Sequence, residues 1–146
     1  MKIYTQKIKL STKKRLEIID ITDNLNKILK SSKINSGIMN VYSRHTTLAI
    51  KINENEELLL KDISHMLEEK IPKDKEYSHD KLELRKNCPR NEPKNADSHL
   101  KCLFLETSQT IPIIESKLDF GKWQSVLIIE TSGPRDREIT IQIIGE

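Results

Sequence analysis

Aromatic side chains are scarce in this chain: one tryptophan, three tyrosines and two phenylalanines among 146 residues. Binding nucleic acid by stacking needs more of them, and binding it by charge needs a basic block. The net charge is only +3 and the lysines are scattered, so no nucleic acid is expected as a partner. Long apolar runs are missing too. No segment approaches the ~20 apolar residues of a membrane span, so no membrane is expected either. The N-terminal MKIYTQKIKL alternates where a signal peptide would have an apolar core, which points to a cytoplasmic protein. The two cysteines, Cys88 and Cys102, form neither a disulfide framework nor a zinc knuckle.

What is present is a chain with 36% apolar and 32% charged residues, long enough for one domain with a real core. KIYTQKIKL alternates like a half-buried strand. After an STKKR turn, LEIIDIT reads as its hairpin partner. Thr22 or Asp23 can cap a helix whose Leu25, Ile28 and Leu29 share one face. Strands follow over Gly37 to Tyr42 and Leu48 to Ile52. Asn53 opens an acidic helix with Leu58, Leu59, Ile63 and Met66 or Leu67 at helical spacing, and its early glutamates suit the helix dipole. Residues 72–95 read as a long irregular loop, either functional or disordered. NADSHLKCLFLETS reads as a short helix capped by Asn95, with Leu100, Leu103 and Phe104 as its apolar side. TIPII, KLDFGKWQSVLIIET and REITIQIIG read as strands. No repeat is visible. Strands at both ends with two or three helices between them indicate a single α+β domain over residues 1–146.

Three groups of polar residues stand out. His45, in SRHTTLAIKINENE, interrupts a strand pattern together with Thr46 and Thr47. His79 lies in the long loop and His99 at the start of the short helix. Each alone reads as incidental, but converging histidines would make a metal site or an acid–base site. His65, on the acidic helix, reads as a surface residue. Arg135 and Arg137 follow a sharp SGP turn and face one side of a strand. They read either as edge charges that discourage sheet aggregation or as a phosphate or carboxylate clamp. Trp123, next to Gln124, reads as core, interface or ligand stacker.

SRHTTLAIKINENE, SHDKLELRKN, NADSHLKCLFLETSQTIPI, GKWQSVLIIE and GPRDR occur here in the order seen in the YjbQ family, which the chain resembles from Lys7 to its end. The resemblance implies a small α+β protein with β-sandwich-like mixed sheets and two or three helices, assembled as a homotrimer. Members of the family are labelled secondary thiamine-phosphate synthases, joining a pyrimidine diphosphate to a thiazole phosphate with release of diphosphate. Carried onto this chain, the family pattern makes His45, His99 and Glu130 candidate catalytic groups. It makes Thr46, Thr47, Trp123, Gln124, Arg135 and Arg137 candidate contacts to a small phosphorylated metabolite. His45, His79 and His99 become candidate ligands of a divalent metal ion, zinc or magnesium. Asn53, Glu54, Asp62, Asn95 and Ser108 also fall on its polar positions.

The expected chemistry follows from the reaction. Arg135 and Arg137, with Lys122 and a divalent ion, would receive the departing diphosphate, and Trp123 would stack on an aromatic ring. The chain departs from the family at Ser132, where Asp is common, and in the long, charged KNCPRNEPKN. The competing expectations are a non-enzymatic trimer that binds a metal or a phosphorylated metabolite, and a metal-dependent hydrolase or lyase.

Overall fold

Ten residues of β1 (Lys2–Ser11) pair antiparallel with β8 (Asp136–Gly145), joining the two ends of the chain at the start of the architecture. The computed structural model describes residues 1–146. β8 pairs in turn with β3 (Gly37–Ser43), β3 with β5 (Ser108–Ile114), and β5 with the short β6 (Lys117–Leu118). A second sheet has β7 (Ser125–Glu130) at its centre, flanked by β2 (Glu17–Asp20) and β4 (Leu48–Asn53). The α+β, sandwich-like architecture is as expected, but the sheets are not mixed: every strand pairing is antiparallel.

The core lies between the sheets. Met39 and Val41 of β3, Ile139, Ile141 and Ile143 of β8, and Ile111 and Ile113 of β5 face Leu48, Ile50, Val126 and Ile128. Burying each such side chain contributes about 1.5–3 kcal/mol. Helix α1 (Thr22–Ser32) closes one side with Leu25, Ile28 and Leu29. Helix α2 (Glu57–Lys70) covers the other face of the small sheet, where Leu67 meets Ala49 and Ile129. β7 is therefore buried on both faces, which explains why VLII is a continuous apolar run instead of an alternating one. No helix is long and apolar enough to cross a membrane.

Several local expectations give way to longer-range forces. β1 and β2 do not form a hairpin; they lie in different sheets. The segment between them is pinned to the β7–β8 connection by Thr12 N–H to Arg135 O (2.9 Å) and Gly133 N–H to Arg15 O (3.0 Å). The α1 cap is neither Thr22 nor Asp23: Asp20 accepts the Thr22 N–H, while the Thr22 hydroxyl accepts from Val126 N. α2 starts later than Asn53, at Glu56, whose carboxylate accepts the N–H groups of Leu58 and Leu59. KLDFGKWQSVLIIET is broken into β6 and β7 by a turn. Within residues 72–95, two single-turn 3-10 helices form at Ser78–Asp80 and Leu82–Leu84.

The third helix, α3 (Ala96–Leu103), packs in the opposite sense from its apolar pattern. Leu103 and Phe104 are 78% and 76% exposed, while Asp97, Ser98 and Lys101 are buried. The reason is ionic. Lys101 Nζ sits 3.0 Å from Asp97 and 2.8 Å from Glu68 of α2, and Asp97 also receives Arg15 at 2.6 Å. Ser98 adds a hydroxyl bond to the carbonyl of Thr131. Asn95 stands at the helix start without a side-chain cap bond; Asp80 takes the first free N–H, that of Ala96.

Candidate functional site

At one end of the sandwich, the end of β7, the start of β8 and the turn before β4 come together. Glu130 closes β7, fully buried, and Arg137 enters β8 beside it. Arg137 donates Nε and Nη2 to the two Glu130 oxygens, each at 2.6 Å, and Nη2 also reaches the Thr47 hydroxyl at 2.9 Å. Glu130 further accepts from Ser132 N–H (2.8 Å) and the Thr12 hydroxyl (3.1 Å). Burial pushes this carboxyl up, but the Arg137 and Ser132 bonds, the Arg137 charge and the Thr12 bond outweigh it and hold it below its ordinary value.

Two expected roles change with this geometry. Glu130 does not serve as a catalytic acid or base, because it is ionised, enclosed and already has four donors. Arg137 is not a free clamp, because its fork is committed to Glu130 and Thr47. Both form the floor of the site. Thr47 belongs to that floor, since its hydroxyl is taken by Arg137.

Above this floor lies a cavity of about 310 Å³ with no hydrophobic residue in its wall. Arg44, His45 and Thr46 enter from the β3–β4 turn, Arg135 from the β7–β8 turn, and Glu92, Asn95 and His99 from the loop and the start of α3. Arg44 is held by Glu138 at 3.1 Å and Glu92 by Arg85 at 3.3 Å. The Arg135 guanidinium anchors Nε on the Ser132 carbonyl at 2.9 Å, and its terminal nitrogens make no bond within the protein. Gly133 carries the turn that aims it. A Cβ there would stand 2.2 Å from the Lys14 carbonyl oxygen, so only glycine fits. The Gly133–Pro134 bond is cis. Ser132, at the departure from the family pattern, contributes through its backbone N–H and carbonyl, so its change of side chain leaves both supports intact.

His45 receives the backbone N–H of Glu138 on Nε2 at 3.1 Å. The neutral ring therefore carries its proton on Nδ1. Burial first, and then the charge of Arg137, holds the imidazole below its ordinary value. His99 is lowered as well, by burial and then by His79. The rings of His79 and His99 meet edge to face, with centroids 5.1 Å apart. His79 Nε2 and Asn95 Oδ1 are buried polar atoms without a partner.

Within one copy of the chain, His79 and His99 come together and His45 stands apart from a shared metal point. No three His, Cys, Asp or Glu side chains come within ligand reach of one point. His45 fits poorly for a chemical reason: coordination through Nδ1 would move its proton to Nε2, directly against the Glu138 N–H. His79 and His99 remain as a pair. His65 is exposed on α2 and outside the cavity. Trp123 and Gln124 are also outside. They sit in the turn before β7, roughly 20 Å from Glu130 along the strand at about 3.3 Å per residue. Trp123 is 64% exposed with Lys122 over its ring, and the Gln124 side chain accepts the Gly121 N–H. Thr12 went unrecognised in the sequence. It lies inside an ordinary STKKR turn, and only the fold carries it to Glu130.

Residues 6–146 match the family described as UPF0047 protein YjbQ-like. A UPF0047 protein of Methanothermobacter thermautotrophicus is 45% identical over 146 residues, covering 100% of this chain and 95% of its own length. YugU of Bacillus subtilis, also a UPF0047 protein, is 31% identical, covering 94% of this chain and 97% of its own length. A crystal structure from Sulfolobus solfataricus, described as a YbjQ-like protein of unknown function, superposes with a TM-score of 0.90 at 34% identity, covering 99% of each chain.

Proposed function

The chain belongs to the UPF0047 YjbQ-like family, and on that premise we propose that its cavity binds the phosphoryl end of a small phosphorylated metabolite and supports displacement of diphosphate, the reaction of a secondary thiamine-phosphate synthase. One observation carries this reading: the Arg135 fork is fixed at Nε and free at both terminal nitrogens, in a cavity whose wall is polar or charged at every residue but Pro93. Such a fork matches two phosphate oxygens at once. The Thr46 hydroxyl and the His45 Nδ1–H are further donors beside it. As the carbon–oxygen bond to diphosphate breaks and the carbon–nitrogen bond to the thiazole forms, negative charge collects on the departing oxygens. Arg135 and His45 stabilise it there. His99 lines the same cavity and offers a further polar contact to the bound group. No metal is assigned to the histidines.

About 310 Å³ is at the lower end of the ~300–1,000 Å³ of small-ligand pockets. It suits one phosphorylated half with its head group. A ring platform is absent from these walls, so Trp123 would have to come from a neighbouring copy. We accordingly read the protein as a cytoplasmic homotrimer. Its support is a row of apolar side chains, exposed Ile3, Ile38 and Pro112 with half-buried Ile144 among them, running across four strands on the outer face of the large sheet. The same missing platform favours a second reading, in which the protein binds the metabolite without turnover.

The test is titration of pyrophosphate into wild type and Arg135→Lys, with thermal melts and an assay for thiamine phosphate. Losing one charge-assisted hydrogen bond costs about 1.5–3 kcal/mol, so affinity should fall roughly tenfold to a hundredfold with the melt unchanged. Equal affinity removes Arg135 from the site. Binding without any thiamine phosphate selects the second reading. A monomer in light scattering rejects the trimer.

A further inference from the structure

At the far end of β8, roughly 25 Å from Arg137 at about 3.3 Å per residue, a second cavity of about 550 Å³ opens between the end of α1 and the β5–β6 hairpin. Its floor is apolar. Leu29, Ile34 and Leu118 are buried members of the main core, and Phe120 packs half-buried beside them. Its rim is cationic. Lys30 and Lys33 come from α1 and its C-cap, and Lys117 from β6. None of the three takes part in an ion pair, and no carboxylate lines the cavity.

Lysines in a last helical turn complement the helix dipole. That accounts for Lys30 and Lys33 but not for Lys117, which converges on the same opening from the other wall. The two walls are fastened together: Ser116 donates its N–H to the Asn35 carbonyl and its hydroxyl to Asn35 Oδ1, each at 2.9 Å. The left-handed residues here have local causes: Lys33 is the C-cap of α1, and Glu115 and Ser116 are the two-residue turn of the β5–β6 hairpin (φ 57°, 50° and 61°).

We propose that this groove is a second ligand site, selective for a small amphipathic anion: an aliphatic or aryl body ending in a carboxylate or phosphate. The body lies over the closed Leu29–Ile34–Leu118 floor and against the half-buried Phe120 ring and the lysine stems, and it is these last that it removes from water. The head takes the ammonium groups of Lys30, Lys33 and Lys117, which act as point-charge donors without geometric demand. The volume lies within the range of small-molecule pockets. Neither a bare inorganic anion nor a neutral alcohol satisfies both halves.

The test is a titration of isotope-labelled protein with octanoate, octanol and inorganic phosphate, following the backbone amides of Leu29, Ile34 and Leu118. Octanoate should shift them saturably, with octanol and phosphate at least tenfold weaker. The double variant Lys30→Glu/Lys117→Glu should bind octanoate at least tenfold more weakly with an unchanged melt, because both side chains are exposed. If that melt falls, Lys117→Gln alone makes the same comparison. Any of three results overturns the proposal: no saturable shift, octanol binding as tightly as octanoate, or charge variants that bind as wild type does. Shifts that gather around Arg135 and His45 instead would assign octanoate to the first site and also reject it.

Discussion

Arg137→Leu should lower the melting temperature by about 10–15 °C at pH 7.5. The substitution removes both 2.6 Å bonds to Glu130 and the donor to Thr47. Glu130 then keeps only Ser132 N–H and the Thr12 hydroxyl, in a position without solvent. Leaving one member of a buried pair uncompensated costs about 3–5 kcal/mol, and for a chain of this size each kcal/mol moves the melt by about 3 °C. The sign with pH follows from Glu130. Its folded value lies below the ordinary 4.5, so in wild type the stabilisation is complete above about pH 4.5 and is lost as pH falls through the folded value. In the variant the unpaired carboxyl shifts upward, and protonation relieves it. The gap between variant and wild type should therefore narrow as the solution is acidified. The double variant Arg137→Leu/Glu130→Leu removes both charges and should recover much of the loss, since apolar pairs often replace buried ion pairs at little cost. Thermal melts of wild type, Arg137→Leu, Glu130→Leu and the double variant at pH 7.5 and 4.5 close the cycle. A drop below about 3 °C for the single variant, or a double variant less stable than the single, would refute a scaffold role for the pair.

Two further outcomes are expected. In an NMR titration, His45 should show its proton on Nδ1 and a midpoint below 6.5; because the unfolded chain binds the proton first, His45 makes stability decline as pH falls from about 6.5 towards the folded midpoint, and a midpoint at or above 6.5 counts against it. Gly133→Ala places a Cβ 2.2 Å from the Lys14 carbonyl, 2.8 Å from Thr12 Oγ1 and 2.9 Å from Glu130 Cγ, so it should destabilise by about 1–3 kcal/mol, and a melt within 1 °C of wild type would mean that the β1–β2 crossover yields freely.

Period and patterning made the elements legible where a single face decides them. The alternation of β1, the 25/28/29 stripe of α1 and the apolar run of β7 all correspond to packing in the fold. The same logic failed at α3. Leu103 and Phe104 mark an apolar side, but Lys101, Asp97, Arg15 and Glu68 find partners only in three dimensions and turn the helix over. The β1–β2 hairpin failed for a related reason: the turn signal is local, while the competing β1–β8 register spans ten residue pairs across the whole chain. Within the site, His45, Thr46, His99 and Arg135 could be picked out as polar residues at element ends. The commitment of Arg137 to Glu130 could not, because it depends on two side chains seven residues apart meeting across a turn. Nor could the position of Trp123, which a linear motif places beside the site and the length of β7 removes from it.

The central place of β7 in the small sheet, covered on both faces, gives the site a division of labour in time. Amides flanked by strands on both edges and sealed on both sides exchange with solvent only through the largest openings of a protein. Glu130 and the residues just after it are tethered to that slow unit, so the Arg135–Ser132 wall should keep its shape through the faster fluctuations of the molecule. On the opposite wall, Asn95 and His99 ride on α3, which Ser98 and Thr131 tie to the same unit, whereas Glu92 hangs from a segment whose ordered parts are single 3-10 turns. For a ligand of the kind proposed, only the Glu92 stretch would have to open, while the Arg135 side keeps its shape and loses no ordering entropy on each encounter.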